Sequence, residues 1–379
     1  MKAEYRRLGD YIRQVDVRNK TLELTSPMGV NIGKYFMPSV ANTIGTDLSN
    51  YKVVSRLQFA CNLMHVGRDE ALPVACNDGE KDILVSPAYH VFEIIDTSKL
   101  SPYFLMLLFT RKVFDQEAWF YTDGDVRQGL PISALYNMML PVPPIEEQRH
   151  IVEQYQTVER RIKNNERLIA LLEDTAQTIF RHRFVENIDM NNLPSNLVKV
   201  TIGSVTECNT DNLTSGDTFD EIRYLDTSSV TENKFDSLCI ISHDFPSRAK
   251  RKVRKNDILY STVRPNLHHY GIIKDVTENT IVSTGFLVIR SCDKRVNNEL
   301  IFLWLTKYKP FELYLQGIAE NSKATYPSIS AEDVLNLEIV IPKDYEDLSV
   351  FHGLYDYIYL LNKENSLLYE SKDALINRL

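Results

Sequence analysis

From Ile151 to Ile179 the chain reads IVEQYQTVERRIKNNERLIALLEDTAQTI. Within this stretch Ile151, Tyr155, Val158, Ile162, Asn165, Ile169, Leu172, Ala176 and Ile179 recur at alternating spacings of four and three. That is a heptad seam, the stripe a helix lays against a partner helix. A second stripe lies far along the sequence: Phe351, Leu354, Ile358, Leu361, Asn365, Leu368, Lys372, Leu375 and Leu379, alternating three and four. The phases are opposite, as an antiparallel pair requires, because a positions then face d positions. Running the second stripe backwards sets Asn165 opposite Asn365, Ile169 opposite Leu361, Leu172 opposite Ile358 and Ala176 opposite Leu354. In the other direction Ile162 meets Leu368 and Tyr155 meets Leu375; only Val158 against Lys372 is a poor layer. The spacing predicts an intramolecular antiparallel coil of about 28 residues, roughly 42 Å at 1.5 Å per residue. Asn165 and Asn365 would set its register at some cost in stability. The competing reading is two unrelated amphipathic helices, each packed on its own domain.

Around these helices the chain repeats itself about 200 residues apart. Val85-Ser86-Pro87-Ala88-Tyr89-His90-Val91-Phe92 is echoed by Val282-Ser283-Thr284-Gly285-Phe286-Leu287-Val288-Ile289. Ile132-Ser133-Ala134-Leu135 is echoed by Ile329-Ser330-Ala331-Glu332, and Leu140-Pro141 by Ile341-Pro342. In the first copy Tyr51–Val54, Asp82–Val85 and Val91–Ile95 read as strands and Ser101–Trp119 as a helical run. In the second, Asp257–Thr262, Gly271–Lys274 and Thr280–Arg290 read as strands and Asn298–Tyr314 as a helix. The expected fold is α+β: two globular domains, 1–142 and 187–342, held apart in pseudo-twofold fashion by helical spacers at 143–186 and 343–379.

Composition bounds the function. Apolar residues make up 44% and charged residues 25%, ordinary for a globular protein. Five cysteines without a C-x-x-C pair suggest reduced thiols, neither a disulfide frame nor a zinc site. The first twenty residues are charged without an apolar core, and no apolar run is long enough for a bilayer; a cytoplasmic protein without membrane contact is expected. The net charge of −8 is unusual for a DNA binder, whose basic groups displace counterions from phosphate. It is offset locally by Arg248, Lys250, Arg251, Lys252, Arg254 and Lys255.

No phosphate-binding G-x-x-x-x-G-K-[ST], no G-x-G-x-x-G, no amino-methyltransferase N-P-P-[YF] and no H-E-x-x-H motif is present, so no cofactor, metal or catalytic residue is expected. His268-His269 is a poor metal site, since adjacent side chains on a strand point apart. Asp226, Glu232 and Lys234 have the residue types of a metal-dependent nuclease, but at loose spacing they read more readily as turn residues between short strands. The basic run leads into Ser261-Thr262-Val263-Arg264-Pro265-Asn266. Flexible lysines suit phosphate, whereas the planar forks of Arg264 and Asn266 suit base edges. The alternative is a solvated edge strand that uses charge against aggregation. The loop around Asn321, Lys323 and Tyr326 precedes Ile329-Ser330; its counterpart at 119–128 holds Arg127. Arg56, Asn62 and Arg68 complete the first-copy candidates for DNA contact.

Leu140-Pro141-Val142-Pro143-Pro144-Ile145-Glu146-Glu147-Gln148-Arg149-His150-Ile151-Val152 and the coil after it resemble the conserved region of type I restriction–modification specificity subunits. Val253-Arg254-Lys255-Asn256-Asp257-Ile258-Leu259-Tyr260-Ser261-Thr262-Val263-Arg264-Pro265-Asn266-Leu267, with Val282–Phe286, resembles an element of their target recognition domains. The resemblance spans nearly the whole chain. It implies that each domain reads one half of a bipartite double-stranded DNA site. It further implies a non-enzymatic chain whose coils dock two methyltransferase subunits, with restriction and translocation supplied by separate subunits. Two departures stand out: Ile341-Pro342-Lys343-Asp344-Tyr345-Glu346 replaces the first copy's proline–glutamate–glutamine stretch, and Lys372 sits in the second seam. Two other readings remain, the metal-dependent nuclease built on Asp226, Glu232 and Lys234, and a coiled-coil scaffold without DNA.

Overall fold

The computed structural model describes residues 4–40, 45–122, 129–214, 216–236, 238–322 and 326–379. Their contacts form two units: Met1–Lys163 with Leu367–Leu379, and Asn164–Ser366.

The first unit contains β1 (Tyr5–Arg7), β2 (Ile12–Gln14), β3 (Pro27–Val30), β4 (Phe36–Pro38), β5 (Lys52–Val54), β6 (Phe59–Cys61), β7 (Val74–Cys76), β8 (Ile83–Val85), β9 (His90–Ile94) and β10 (Met139–Pro141). They pair as β2-β9-β6-β7, as β4-β3-β8-β5 and as the β1-β10 ribbon. Alternation along the central strands explains the layering. Phe59 and Cys61 of β6, with Phe92 and Ile94 of β9, face the helical core, whereas Ala60 and Val91 face Val30, Val54 and Val85 of the other sheet. Phe59 stacks on Phe92 at 5.0 Å, and Phe109 meets both rings edge-on. Each such pair adds about 0.5–1.5 kcal/mol beyond its burial.

The second unit contains β11 (Leu197–Thr201), β12 (Thr206–Cys208), β13 (Ile222–Leu225), β14 (Val230–Thr231), β15 (Lys234–Phe235), β16 (Cys239–Ile241), β17 (Ala249–Lys252), β18 (Ile258–Ser261), β19 (Tyr270–Ile272), β20 (Thr280–Ser283), β21 (Phe286–Ser291) and β22 (Glu338–Pro342). Its sheets, β12-β21-β18-β19, β16-β13-β20-β17 and β11-β22, repeat the first unit's order, including one parallel pair in each second sheet (β3 with β8, β13 with β20). The internal repeat is therefore a repeat of topology. The β14-β15 hairpin is extra, inserted between the counterparts of β3 and β4.

Three expected runs are broken. Ser101–Trp119 divides into helices Pro102–Phe109 and Lys112–Phe120. Asn298–Tyr314 divides into Asn298–Lys307 and Lys309–Glu320, because Pro310 has no N–H to continue the first helix and Tyr308 is extended. Thr280–Arg290 is two strands in different sheets, reversing at Gly285, where a Cβ would lie 2.8 Å from Thr227 Cγ2.

The long helices are Ile145–Phe184 and Ser349–Asn377. The first starts where the proline–glutamate–glutamine stretch predicts, and Gln148 shows why that stretch is needed. Fully buried, its Oε1 accepts from Ser101 N at 2.9 Å, and its Nε2 donates to Lys99 O at 2.9 Å and Pro143 O at 2.8 Å. One amide thus fixes the helix start to the loop before Pro102. In the second unit Asn165 Nδ2 donates to Asn365 Oδ1 at 2.9 Å and to Glu364 Oε2 at 3.0 Å. Towards the other end of that segment Arg183 pairs with Glu346, so the two stretches run antiparallel. In the first unit Lys372, the poor layer of the heptad reading, lies over the Tyr155 ring at 5.0 Å and reaches Glu159 Oε1 at 2.8 Å. A lysine is accommodated in a seam when its stem packs and its charge escapes to the edge.

Candidate nucleic-acid interface

In both units the strand that leads to the candidate contacts is the inner strand of the helix-facing sheet. After β18, Ser261 Oγ donates to Val263 O at 3.0 Å, while Thr262 N donates to Gly285 O at 2.9 Å. Ile329 N donates to Thr262 O at 2.9 Å, and Val263 bridges to Ser328. The same seam forms in the first unit, where Leu130 N donates to Leu63 O at 2.8 Å. A turn after the inner strand is thereby joined to the segment that follows the second helix, twice.

In the second unit this joint brings sequence-expected residues together. Arg264 and His268 both have left-handed backbones, φ 50° and 55°, flanking a single turn of 3-10 helix at Pro265–Leu267. Each such non-glycine residue costs about 1–2 kcal/mol, which the surrounding contacts must offset. Arg264 N donates to Pro327 O at 2.8 Å, and its guanidinium stacks over Tyr326 at 4.8 Å. Stacking occupies the π face and leaves the in-plane N–H edge available to an acceptor pair. Asn266 is exposed beside it, and Asn321, also exposed, donates from Nδ2 to Gly317 O at 2.7 Å.

The basic run is only partly available. Lys252 pairs with Asp217, whose carboxyl is held down to about 2 chiefly by that ammonium and by Thr214. Arg254 pairs with Asp211 at 2.9 Å, and Arg251, half-buried, reaches Asn212 at 3.4 Å. These three tie Asp211, Asn212 and Asp217 to β17 and the turn after it. Among the described residues Arg248 and Lys250 are exposed without an ion pair. Behind the run, Arg290 grips the fully buried Asp257 through two hydrogen bonds of 2.7 Å, and Asp257 also accepts from Arg254 N at 2.7 Å.

In the first unit Arg56 is exposed, Asn62 Oδ1 accepts from Met64 N at 3.0 Å, and Arg68 forms a bidentate pair with Asp69 at 2.7 and 3.0 Å. Arg127 and Lys323 lie outside the described residues. Trp119, Phe120 and Tyr121, at the end of the second helix, are exposed, Phe120 by 79%. Their place before the second loop was legible in sequence; their exposure was not.

Two of the three nuclease-like residues have other partners. Asp226 Oδ1 accepts from Thr227 N at 2.5 Å, and Glu232 occupies the β14-β15 turn, where it faces His268. Among the described residues no group of three or more His, Cys, Asp or Glu side chains is placed to hold a metal ion. Among the described residues no helix is long and apolar enough to cross a membrane.

Residues 194–369 match the type I restriction modification DNA specificity domain. The chain is 34% identical over 162 residues to the type I restriction enzyme HindI specificity subunit of Haemophilus influenzae, which covers 41% of this chain and 35% of that protein. It is 19% identical over 356 residues to the putative type I restriction enzyme MjaX specificity subunit of Methanocaldococcus jannaschii, covering 88% of this chain and 79% of that one. The match to the Haemophilus protein thus spans about a third of that relative's length. Among solved structures, the type I restriction–modification system S subunit from M. genitalium superposes with a TM-score of 0.61 at 15% identity, covering 98% of this chain and 94% of that one, a likeness of fold. Residues 194–369 thus match the DNA specificity domain of type I restriction–modification systems, and the chain shares its fold with the M. genitalium S subunit.

Proposed function

We propose that this chain is the DNA sequence-specificity subunit of a type I restriction–modification complex, acting in the cytoplasm, and that each unit reads one half of a bipartite duplex site. The observation that carries the reading is the Arg264 turn: a guanidinium stacked over Tyr326 whose hydrogen-bonding edge has no partner among the described residues, within the matched specificity domain. The equivalent turn of the first unit offers Asn62 and Arg68. Arg264 and Asn266 are the base readers of the second unit, with Thr262, Asn321 and Tyr326 around them; Arg56 completes the first unit's described set, and Lys323 and Arg127 are assigned to DNA contact from the sequence alone. Arg248 and Lys250 contact phosphate. Arg251, Lys252 and Arg254 shape the surface through their internal partners.

In this reading the chain is not itself catalytic. Two methyltransferase subunits dock on the long helices, and restriction subunits join the assembly. Support for docking comes from apolar side chains left on the outside of the second unit's helices, among them Leu171, Tyr357 and Leu360. Asn165 and Asn365 set the helical register. The net charge of −8 makes autonomous DNA binding weak and salt-sensitive, so partners strengthen it. The test is selection from randomised duplex DNA with the chain and the methyltransferase encoded beside it. Enrichment of a bipartite motif supports the reading; enrichment of none refutes it.

A further inference from the structure

Pairing register makes the two units comparable residue by residue. Phe59 lies opposite both Phe92 and Cys76, and Ile258 opposite both Ile289 and Ile272, so Leu72, two residues before β7, corresponds to His268, two before β19. At both positions three parts of the unit are tied together: the connection after β3 or β13, the residue two before β7 or β19, and an acidic side chain of the second helix.

The chemistry differs. In the first unit Lys34 Nζ donates to Leu72 O at 2.7 Å and to Asp115 Oδ1 at 2.5 Å, and Leu72 N donates to the same carboxylate oxygen at 3.0 Å. The Lys34 side chain is only 6% exposed, and burial lowers its pKa. In the second unit the inserted hairpin does this work. His268 Nδ1 donates to Glu232 Oε1 at 3.0 Å, and its Nε2 lies 3.6 Å from Glu312 Oε1. Glu232 N donates to His268 O at 2.9 Å, and Asn233 N to Tyr270 O at 2.8 Å. His269 Nδ1 donates to Val230 O at 2.7 Å, the orientation a carbonyl imposes. Phe235 lies so close over Gly271 that a Cβ there would meet its ring at 2.7 Å.

We propose that these two knots, Lys34–Leu72–Asp115 and Glu232–His268–Glu312, are positioning devices that fix the reading turn of each unit, and that they determine specificity without touching DNA. The inference rests on the proposed function for its DNA consequence, but not for the turn itself. Two positive-φ residues so close together, Arg264 and His268, persist only where their surroundings over-determine them. The knot is the contact that holds the His268 end. Its exposed second-unit form is open to adjustment by substitution; the buried first-unit form is fixed.

The test uses the full chain with Lys34→Met, Glu232→Gln, His268→Gln and the Glu232→Gln/His268→Gln double variant. Two readouts are taken: amide exchange of 62–72 and 262–271, and motif selection from a randomised bipartite duplex. Lys34→Met is expected to loosen 62–72 and relax one half-site. Glu232→Gln and His268→Gln are expected to loosen 262–271 and relax the other. Base preference should fall about fivefold in the affected half only. The double variant should do little more than either single change, as expected of one shared contact. Unchanged thermal midpoints and unchanged preference in the opposite half separate positioning from general destabilisation. Unaltered exchange and unaltered motifs in all variants would overturn the proposal, as would equal losses in both halves from each single-knot change. If wild type enriches no motif while the variants still loosen their own turns, the DNA reading falls and the knots stand as turn-fixing devices.

Discussion

Replacing Asn165 and Asn365 by leucine, singly and together, tests whether the two amides act as one unit. They are 3% and 6% exposed, and a 2.9 Å hydrogen bond joins them. Either single change removes that bond; Asn165→Leu strands the buried Asn365 amide, a penalty of about 1–3 kcal/mol set against the burial of a new leucine, whereas after Asn365→Leu the Asn165 amide keeps its bond to Glu364. The double change strands nothing. It escapes the penalty that Asn165→Leu incurs, so the cycle should show a favourable coupling of about 1–3 kcal/mol. At urea slopes near 2–3 kcal/mol/M, a coupling of about 2 kcal/mol displaces the midpoint by roughly 0.7–1 M from additivity. Trp304 is the appropriate probe. It is buried in the second unit and packs edge-on against Phe180 of the long helix at 5.1 Å, whereas Trp119 is already 46% exposed and its emission will change little. Midpoints that add to within about 0.3 kcal/mol would show that the amides are not joined across the seam, and the register argument would fail.

Arg264→Ala should reduce preference at one base by about 1–3 kcal/mol, and Arg264→Lys should not restore it, because a lysine lacks the planar fork that Tyr326 holds; competition between single-base variants reads this out. Full recovery by lysine would reduce Arg264 to a phosphate contact. Arg248→Ala with Lys250→Ala should weaken binding to all sequences alike and flatten the log–log salt slope by roughly 0.9 per lost contact, in titrations over a salt series. Loss confined to particular bases would contradict that role. His90 gives a pH prediction for the first unit. Burial, and then Lys52, hold its ring down at about 4. The unfolded chain, with an ordinary value near 6.5, therefore binds a proton that the folded unit refuses. Stability rises with pH across that window and is lost on acidification, by up to about 3 kcal/mol. His90→Gln should flatten the dependence of the urea midpoint on pH between 4 and 6.5; an unaltered slope would assign it elsewhere.

The parts of this fold legible in sequence are those whose signal is periodic or repeated. The seam around Asn165 and Asn365 is legible because a heptad constrains many positions at once. The duplication is legible because Val85–Phe92 and Val282–Ile289 build corresponding strands in equivalent sheets. The break at Tyr308 was foreshadowed by Pro310, but the reversal at Gly285 was hidden inside an unbroken apolar run. Side-chain pairing was the least legible. Nothing in the spacing of Lys252 and Asp217, or of Arg254 and Asp211, says that half the basic run is turned towards its own loop. Glu232 and Lys234 resembled catalytic residues because a tight hairpin turn and a metal site both favour short-range polar clusters. The knot at His268 joins elements distant in sequence, and no local pattern could announce it.

Exchange of residues 1–142 for the matching segment of another such subunit, followed by motif selection from randomised duplex DNA with the methyltransferase present, weighs the whole account. One half of the enriched site should change while the other half is retained. A change in both halves, or in neither, would contradict two units that read separately.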